Sequence, residues 1–586
     1  MKLVLFDLGD TLESGGVLLP GAVETLEAIA ALRTDGQPAA VLGLVSDFRM
    51  PATPADVAGI QQEYYSLLDD LGIRQFFEPV AERVTLSTEV GVFKPDQAVF
   101  RAAASKAGAA VEFGDVFFVT ENSNHVLAAR GLGLAAVHVR GPGQPHGEID
   151  TLAGVVPLVQ AFLDGGEPVE TVVLDVSSGD QDAVLNRIGA SHGRWTRLGD
   201  VLVVRSPAGG PGQSIARGET ADSAPRLLVP EQHLHVVTQT ARFFQEDHPD
   251  VRVVVDKGRY LVVEFDPALH SPADGPHASC YRVGPLPADA VVFDRRATGS
   301  GQPPAADAGV GTVELSRTAF EDDVGKLGRL RTRHSRSTEF IGALEWAEGR
   351  LGELGYATQI QTVTVPGGTS RNLVADRPGD GADRELVLVT AHLDSVNLSG
   401  FSAAAPGADD NASGSAGVLA IARALADRST KHDLRLILFG GEEQGLFGSQ
   451  HYVGGLAADE RARISAVINM DMIACKNTGT ATVLLEGAPV SQGMIDALAD
   501  IAQANTSLAV QTSLSPFNSD HVPFIDAGIP AVLTIEGTDS ANDRVHTDRD
   551  TLETLDISLA LEILRMNATF VAQALNSDVS IAQPIR

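Results

Sequence analysis

Residues 385–396 read ELVLVTAHLDSV, an apolar run that ends in a histidine and an aspartate. Leu386 to Thr390 has the length and composition of a buried β-strand. His392 and Asp394 follow at its carboxyl end, two positions apart, so extended backbone points both side chains to one face. In such a pair the histidine can bind a metal ion while the carboxylate orients its ring. The stretch predicts a buried strand that carries a metal ligand.

Four further stretches place acids or a histidine next to a predicted strand end or helix start. They are GADDNASG with Asp409 and Asp410, RLILFGGEEQG with Glu442 and Glu443, AVINMDMI with Asp471, and NDRVHTDRDTLE with His546. In an open α/β sheet the carboxyl ends of the strands line one crevice, where ligands bind. Two histidines, two aspartates and one glutamate suit zinc, and they hold two ions if one carboxylate bridges. Glu442 is then left uncoordinated beside the ligand Glu443, within reach of a water.

Six motifs in order resemble those of zinc-dependent aminopeptidases of the bacterial leucyl aminopeptidase type, which belong to peptidase clan MH. The motifs are AHLDS, GADDNASG, GEEQGLFGS, NMDMI, NSDHVPFIDAGIPAV and HTDRDTLE. The resemblance covers about residues 315–580. It implies an α/β domain with a mixed, mainly parallel sheet that binds two Zn²⁺ ions.

The resemblance also implies a role for each residue of this set. The implied roles are one zinc site at His392 and Asp471, a second at Glu443 and His546, a bridging carboxylate at Asp409, a general base at Glu442 and a supporting carboxylate at Asp394. A cis peptide bond is expected between Asp409 and Asp410. Asp520 and His521, in NSDHVPF, are expected either to contact substrate or to form a structural pair.

These residues predict a metal-dependent exopeptidase that hydrolyses peptide bonds with an activated water, in the first place an aminopeptidase. A carboxypeptidase or another amidohydrolase on the same metals stays open. So does a non-catalytic binding or scaffold protein that retains inactive hydrolase folds. The expected partner is a peptide or amide substrate, and the sequence gives no oligomeric state.

Charge and cysteine content exclude several classes of partner and site. Acidic residues number 76 against 44 basic ones, a formal charge of −32. Such a surface repels nucleic acid and anionic membranes, so we expect neither as a partner. Two cysteines, Cys280 and Cys475, supply neither a disulfide framework nor a thiolate metal site. Because Asp7 interrupts the first apolar run, no secretory signal is indicated, and we expect a cytoplasmic protein.

The chain divides into three regions by sequence texture, each predicted to be α/β. They are a domain over 1–165, a small α/β middle domain of unknown role with linkers over 166–310, and the peptidase domain over 311–586. Stretches rich in Gly, Pro and Ser at 206–225 and 295–311 are the predicted linkers.

The first region resembles haloacid-dehalogenase-type hydrolases over about residues 1–145, through LVLFDLGDTLESG, LGLVSD, GVFKPD and VFFVTEN. The residues implied at its site are a nucleophile at Asp7, phosphoryl-holding groups at Ser46 and Lys94, and a magnesium ligand at Glu121. Gly9 stands where the family's acid/base aspartate is usual, and Glu121 is the clear acid of the last motif. These departures predict a weakened Mg²⁺ site and favour a structural or regulatory domain, with a working phosphatase as the alternative.

Overall fold

The structure, a computed structural model of the chain, describes residues 2–34, 36–108, 111–144, 149, 151–163, 168–177, 194–207, 226–267, 269–296, 313–477, 479–537 and 539–577. Beyond their first two residues, the predicted linkers at 206–225 and 295–311 lie outside these residues. The predicted domain boundaries at 165 and 310 also lie outside them. Among the described residues, no helix combines the length and apolar character needed to cross a bilayer.

The amino-terminal unit has a five-stranded parallel sheet in the order β7-β6-β1-β8-β9. Its core strands are buried on both faces, as a parallel sheet between helices requires. The strands are β1 Lys2–Phe6, β2 Glu13–Ser14, β3 Val17–Leu18, β4 Arg33–Thr34, β5 Gln37–Pro38, β6 Ala40–Ser46, β7 Val84–Leu86, β8 Val116–Thr120 and β9 Ala135–His138. The helices are α1 Ala22–Ala31, α2 Val57–Asp70, α3 Val80–Arg83, α4 Ser87–Val90, α5 Gln97–Ala107, α6 Ser123–Gly131 and α7 Val155–Leu163.

The middle unit is built mainly of strands in its described residues, and the α/β class predicted for the whole of it stays a prediction. Its one described α-helix is α8 Phe243–Asp247. The strands are β10 Pro168–Asp175, β11 Arg194–Leu198, β12 Val201–Pro207, β13 Arg226–Pro230, β14 Leu234–Gln239, β15 Arg252–Lys257, β16 Tyr260–Glu264, β17 Tyr281–Pro285 and β18 Ala290–Arg295. Strands β14 to β17 form a separate antiparallel sheet in the order β15-β16-β14-β17.

The carboxyl-terminal region is α/β, as predicted. Its helices are α9 Arg317–Gly328, α10 Thr338–Glu353, α11 Gly414–Leu425, α12 Phe447–Gly454, α13 Ala458–Arg463, α14 Gln492–Asn505, α15 His521–Asp526 and α16 Ile557–Ala574. Its strands are β19 Ala357–Val365, β20 Gly368–Arg377, β21 Leu386–His392, β22 Asp433–Phe439, β23 Ile464–Met470, β24 Thr482–Glu486, β25 Ala509–Ser513 and β26 Ala531–Glu536.

One 13-stranded mixed sheet joins the middle and carboxyl-terminal regions. Its order is β13-β10-β12-β11-β18-β25-β24-β26-β23-β21-β22-β20-β19. The central strands β26, β23, β21 and β22 are parallel, whereas β20 and β19 are antiparallel at one edge. Strand β18 of the middle unit pairs with β25, so the middle unit extends the sheet instead of lying apart from it.

The parallel register of β21, β22 and β23 gathers the predicted metal ligands. His392 ends β21 and pairs with Phe439, the last residue of β22. Glu442 and Glu443 therefore follow beside His392, and Asp471 follows β23 at the same edge. Because these strands share a direction, side chains distant in sequence meet at one crevice.

Candidate metal centre

The carboxylate of Asp410 lies between two histidines. Its Oδ1 is 3.3 Å from His392 Nε2, and its Oδ2 is 3.2 Å from His546 Nε2. Asp471 Oδ1 lies 3.3 Å from His392 Nε2, and Glu443 Oε2 lies 2.9 Å from His546 Nε2. Two groups of three donors result, and they share Asp410.

Asp410, not Asp409, is the shared carboxylate, so the assignment of the bridge to Asp409 is corrected. Asp409 turns the other way, and its Oδ1 accepts hydrogen bonds from the backbone N–H groups of Ala474 at 2.8 Å and Cys475 at 3.1 Å. The cis peptide bond likewise joins Asp410 to Asn411, one position later than predicted. Adjacent residues in a tight turn face different ways, and the sequence does not say which one faces the crevice.

The pKa directions of the two neighbours agree with this correction. Burial and the nearby charge of Asp550 raise the pKa of Asp409 well above its ordinary value. Burial also acts to raise the pKa of Asp410, but hydrogen bonds from His392 and His546 outweigh it and lower that pKa. Since a metal ligand must be deprotonated, Asp410 is the better ligand of the pair.

Two residues that the motifs did not single out hold the turn that carries Asp410. The carboxylate of Asp550 accepts the backbone N–H groups of Asp409 and Asp410, one on each oxygen and each at 2.9 Å. The buried guanidinium of Arg333 donates to the carbonyls of Leu393 and Gly407, both at 2.8 Å. Burial lowers the pKa of Arg333 to about 10, so it is still a cation at neutral pH. Asp550 lies in the HTDRDTLE motif, whereas nothing local in the sequence marks Arg333.

Asp394 supports the site mainly through backbone groups. His392 Nδ1 lies 3.1 Å from the backbone carbonyl of Asp394 and 3.8 Å from its carboxylate. That carboxylate instead accepts the backbone N–H groups of Glu442 at 3.3 Å and Glu443 at 3.4 Å. Asp394 thus orients His392 by its carbonyl oxygen and holds the Glu442–Glu443 turn by its side chain.

Glu442 lines the crevice but belongs to neither donor group. Burial, with the neighbouring charges of Asp520 and Glu443, raises the pKa of Glu442 well above its ordinary value. Burial and the charge of Asp410 raise the pKa of Glu443 to about 7. Buried carboxylates this close together need compensating positive charge.

The donor set fits divalent cations, and zinc in particular. Imidazole nitrogen and carboxylate oxygen are zinc ligands, and the shared carboxylate presents one oxygen to each group. Both imidazole Nε2 atoms face carboxylate oxygens, an arrangement that an interposed cation would stabilise. His392, Asp410 and Asp471 would hold one ion, and Asp410, Glu443 and His546 the other.

Asp520 and His521 lie behind the crevice and do not line it. Both are buried, and His521 Nε2 lies 3.5 Å from Glu486 Oε1. Burial raises the pKa of Asp520 to about 7. Their neighbour Ser519 lines the crevice instead and donates to Asp471 Oδ2 at 2.7 Å. His521 thus faces Glu486 and not Asp520, so the predicted structural pair is not formed among the described residues, and substrate contact by these two residues stays a prediction.

The middle unit forms one wall of the crevice. Thr240, Arg259, Ser279 and Cys280 line a cavity of about 120 Å³ together with the metal-site residues. Arg259 donates to Glu486 at 3.0 and 3.2 Å and to Asp539 at 3.1 Å, all three side chains being buried. The middle unit therefore contributes side chains to the lining of the candidate metal crevice.

The residues predicted for a site in the amino-terminal unit also converge. Lys94 Nζ donates to Asp7 Oδ2 at 2.5 Å, and Ser46 lies at the end of the neighbouring strand β6, where it accepts the Tyr64 hydroxyl at 2.6 Å. Glu121 Oε2 accepts the Thr11 hydroxyl at 2.6 Å. The negative charge of the Asp7 carboxylate is therefore compensated by the ammonium group of Lys94.

Comparison with known proteins finds a family match for the region around the metal-site residues. Residues 372–571 match Peptidase family M28. The match confirms, at the level of the family, the resemblance seen in the six motifs. It covers all five candidate ligands but none of the middle unit.

Two curated relatives illustrate how far the similarity extends. Leupeptin-inactivating enzyme 1 of Streptomyces exfoliatus is 37% identical over 206 residues, which are 34% of this chain and 43% of that protein. Aminopeptidase YwaD of Bacillus subtilis is 32% identical over 189 residues, 32% of this chain and 40% of that protein. The chain therefore spans less than half the length of these relatives. Among solved structures, the zinc aminopeptidase BSAP of Bacillus subtilis aligns with 17% identity and a TM-score of 0.41, over 46% of this chain and 98% of that one.

Proposed function

We propose that the carboxyl-terminal region is a di-zinc aminopeptidase. The carrying observation is the carboxylate of Asp410, which presents one oxygen to each of two histidines that are each completed by a further acid. The match to Peptidase family M28 and the names of the relatives support peptide hydrolysis. We also retain the prediction that Glu442 is the general base.

Bound zinc would lower the pKa of water towards ~7 and polarise the scissile carbonyl. Glu442 then accepts the proton of the attacking water on a carboxylate oxygen and returns it to the leaving amine. Burial raises the pKa of Glu442 above its ordinary value, which makes its carboxylate a stronger base. The acids that line the pocket attract the charged amino terminus of a peptide.

A comparison of free and amino-blocked substrates tests this proposal. Purified protein should contain two zinc ions per chain and release the first residue of an unblocked peptide. An acetylated amino terminus should abolish cleavage. Cleavage of the blocked peptide at its carboxyl end would favour the carboxypeptidase alternative, and zinc-free protein that zinc does not activate would favour the scaffold.

The substitution Glu442→Gln tests the role of the base. It should reduce kcat by about 10²- to 10⁴-fold while leaving the zinc content at its wild-type value. The matched control is Gln444→Ala, since Gln444 lines the same pocket and carries no charge. A variant Glu442→Gln that retains wild-type kcat would show that another group moves the proton.

For the amino-terminal unit, we propose a fold of the haloacid-dehalogenase type with reduced or no phosphatase activity. The parallel order β7-β6-β1-β8-β9 supports the fold, and the convergence of Asp7 with Lys94 supports a polar site at the ends of those strands. Asp10 does not replace the acid missing at Gly9, because its carboxylate accepts the Ser14 hydroxyl at an exposed turn. Leaving-group protonation therefore lacks a donor from this loop.

A further inference from the structure

An aromatic ring of the middle unit stacks on a candidate metal ligand. The ring centroids of Phe243 and His546 are 5.8 Å apart, and their planes meet at 18°. Phe243 begins α8 and lies outside residues 372–571, the part of the chain that matches the peptidase family. The contact therefore joins the family-like site to a unit that the family match does not include.

Contacts with the middle unit restrain the orientation of His546. Its φ is 58°, in the left-handed region that non-glycine residues seldom occupy. Its Nε2 faces Asp410 and Glu443, whereas its buried Nδ1 makes no hydrogen bond to a nitrogen or oxygen atom of the residues that the structure describes. The side chain of Cys280, also in the middle unit, interacts with the imidazole. Metal-binding histidines are usually oriented by a hydrogen bond at the second nitrogen. Here Cys280 and the stacked ring of Phe243 together supply that restraint.

Phe243 is itself held in place within the middle unit. His277 also stacks on it, with a centroid distance of 4.6 Å and an interplanar angle of 18°. His277 Nδ1 lies 2.7 Å from Asp247 Oδ1, and its backbone N–H donates to Asp247 Oδ2 at 2.9 Å. Since Asp247 ends the helix that Phe243 begins, the rings and the helix form one braced cluster.

The whole unit is fixed on the metal crevice by buried polar contacts. Arg259 binds Glu486 and Asp539 of the carboxyl-terminal region, and the Tyr260 hydroxyl donates to Glu486 at 2.7 Å. These contacts keep the position of Phe243 relative to His546 constant. None of these polar contacts involves a candidate metal-ligand atom.

We propose that Phe243 is a positioning residue that fixes the imidazole of His546 as a metal ligand, so that the middle unit completes the metal centre. This inference rests on the proposed di-zinc function. Loss of the flat ring should free the His546 ring to rotate and should weaken the ion held by Asp410, Glu443 and His546. The ion held by His392 and Asp471 should be much less affected.

Zinc affinity of the full chain, measured by competition with a chromogenic chelator, tests the proposal. Phe243→Leu keeps an apolar side chain and removes the flat ring; it should raise the dissociation constant of the weaker zinc at least about 10-fold. Phe243→Tyr keeps the aromatic ring, and a second cleft that Phe243 also lines gives room for the added hydroxyl. This variant should bind zinc as the wild type does. The control Phe244→Leu removes the adjacent buried ring, which packs on Phe265 and Tyr281 instead, and should leave zinc affinity unchanged.

Each outcome of this comparison is decisive. A rise below 10-fold in Phe243→Leu, an equal rise in Phe244→Leu, or a failure of Phe243→Tyr to retain affinity overturns the positioning role. If Phe243→Leu does not fold, His277→Ala replaces it under the same criterion, because it removes the ring that backs Phe243. Wild-type protein that binds no zinc overturns the proposed function as well, whereas two tightly bound zinc ions in both wild type and Phe243→Leu overturn this inference alone.

Discussion

Replacement of Arg259 by methionine should detach the middle unit from the metal crevice. The change keeps the apolar stem and removes a guanidinium that donates to Glu486 at 3.0 and 3.2 Å, to Asp539 at 3.1 Å and to the carbonyl of Phe517 at 3.1 Å. Both carboxylates are buried and would be left with no cation between them. An uncompensated charge of this kind is strongly destabilising.

The pKa values of the two acids set the size and the pH dependence of the effect. Burial acts to raise the pKa of Glu486, but Arg259 and His521 together outweigh it and lower that pKa to about 2, from an ordinary value of 4.5. That shift corresponds to about 3 kcal/mol of stability. It is fully present above pH 4.5 and is lost as the pH falls towards 2. Burial raises the pKa of Asp539 to about 6 even with Arg259 present.

In the variant, burial should raise both pKa values above those of the unfolded chain. The loss of stability at pH 7 should be about 3–5 kcal/mol, the usual cost of removing one partner from a buried ion pair. Because the folded variant takes up more protons between pH 7 and pH 5 than the folded wild type does, acidification to pH 5 should reduce that loss. The exposed pair Arg242–Asp256, at 2.9 Å, offers the control Arg242→Met, which should cost less than about 1 kcal/mol.

Tryptophan fluorescence during urea unfolding measures this effect. The chain has two tryptophans, Trp195 on β11 of the middle unit and Trp346 on α10. With Trp346 replaced by Phe in all proteins, Trp195 reports the middle unit alone. A stability loss below 1 kcal/mol at pH 7, or a loss that grows between pH 7 and pH 5, would refute the reasoning.

Four further substitutions test other parts of the structure. Asp410→Asn should reduce the zinc content below two ions per chain. Asp409→Asn should leave the zinc content at two, because an amide oxygen still accepts the N–H groups of residues 474–475. Metal analysis that gives the opposite order contradicts the corrected bridge. Asp550→Ala removes both acceptors of the turn and should weaken zinc at least about 10-fold in chelator competition, and an unchanged affinity would show that the turn holds itself. Asp7→Asn should abolish any phosphate release and leave peptide cleavage unchanged; phosphate release that survives the change argues against a nucleophile at this position.

The crevice could be predicted from the sequence because its side chains follow strand ends. The strand predicted from Leu386 extends through His392, and its parallel neighbours bring Glu443 and Asp471 to the same edge. The choice between Asp409 and Asp410 could not be predicted. It depends on the turn at residues 408–413, and Asp550 holds that turn from about 140 positions away.

The role of the middle unit could not be predicted either, because its contacts are distant in sequence. Arg259 meets Asp539 at a separation of 280 positions, and no motif surrounds either residue. The apolar strands β14 and β16 predict a sheet but not the surface against which it packs. The role of Arg333 could not be predicted for a related reason. Arg333 binds backbone carbonyls whose position depends on the complete fold.

The pairing of β18 with β25 has a consequence for attempts to work with a shortened protein. A fragment that begins at residue 313 would retain every candidate zinc ligand yet leave β25 as an unpaired strand edge. Exposed edges recruit strands from other chains and lead to aggregation. A minimal catalytic fragment of this chain should therefore retain the middle unit, even where only peptide cleavage is wanted.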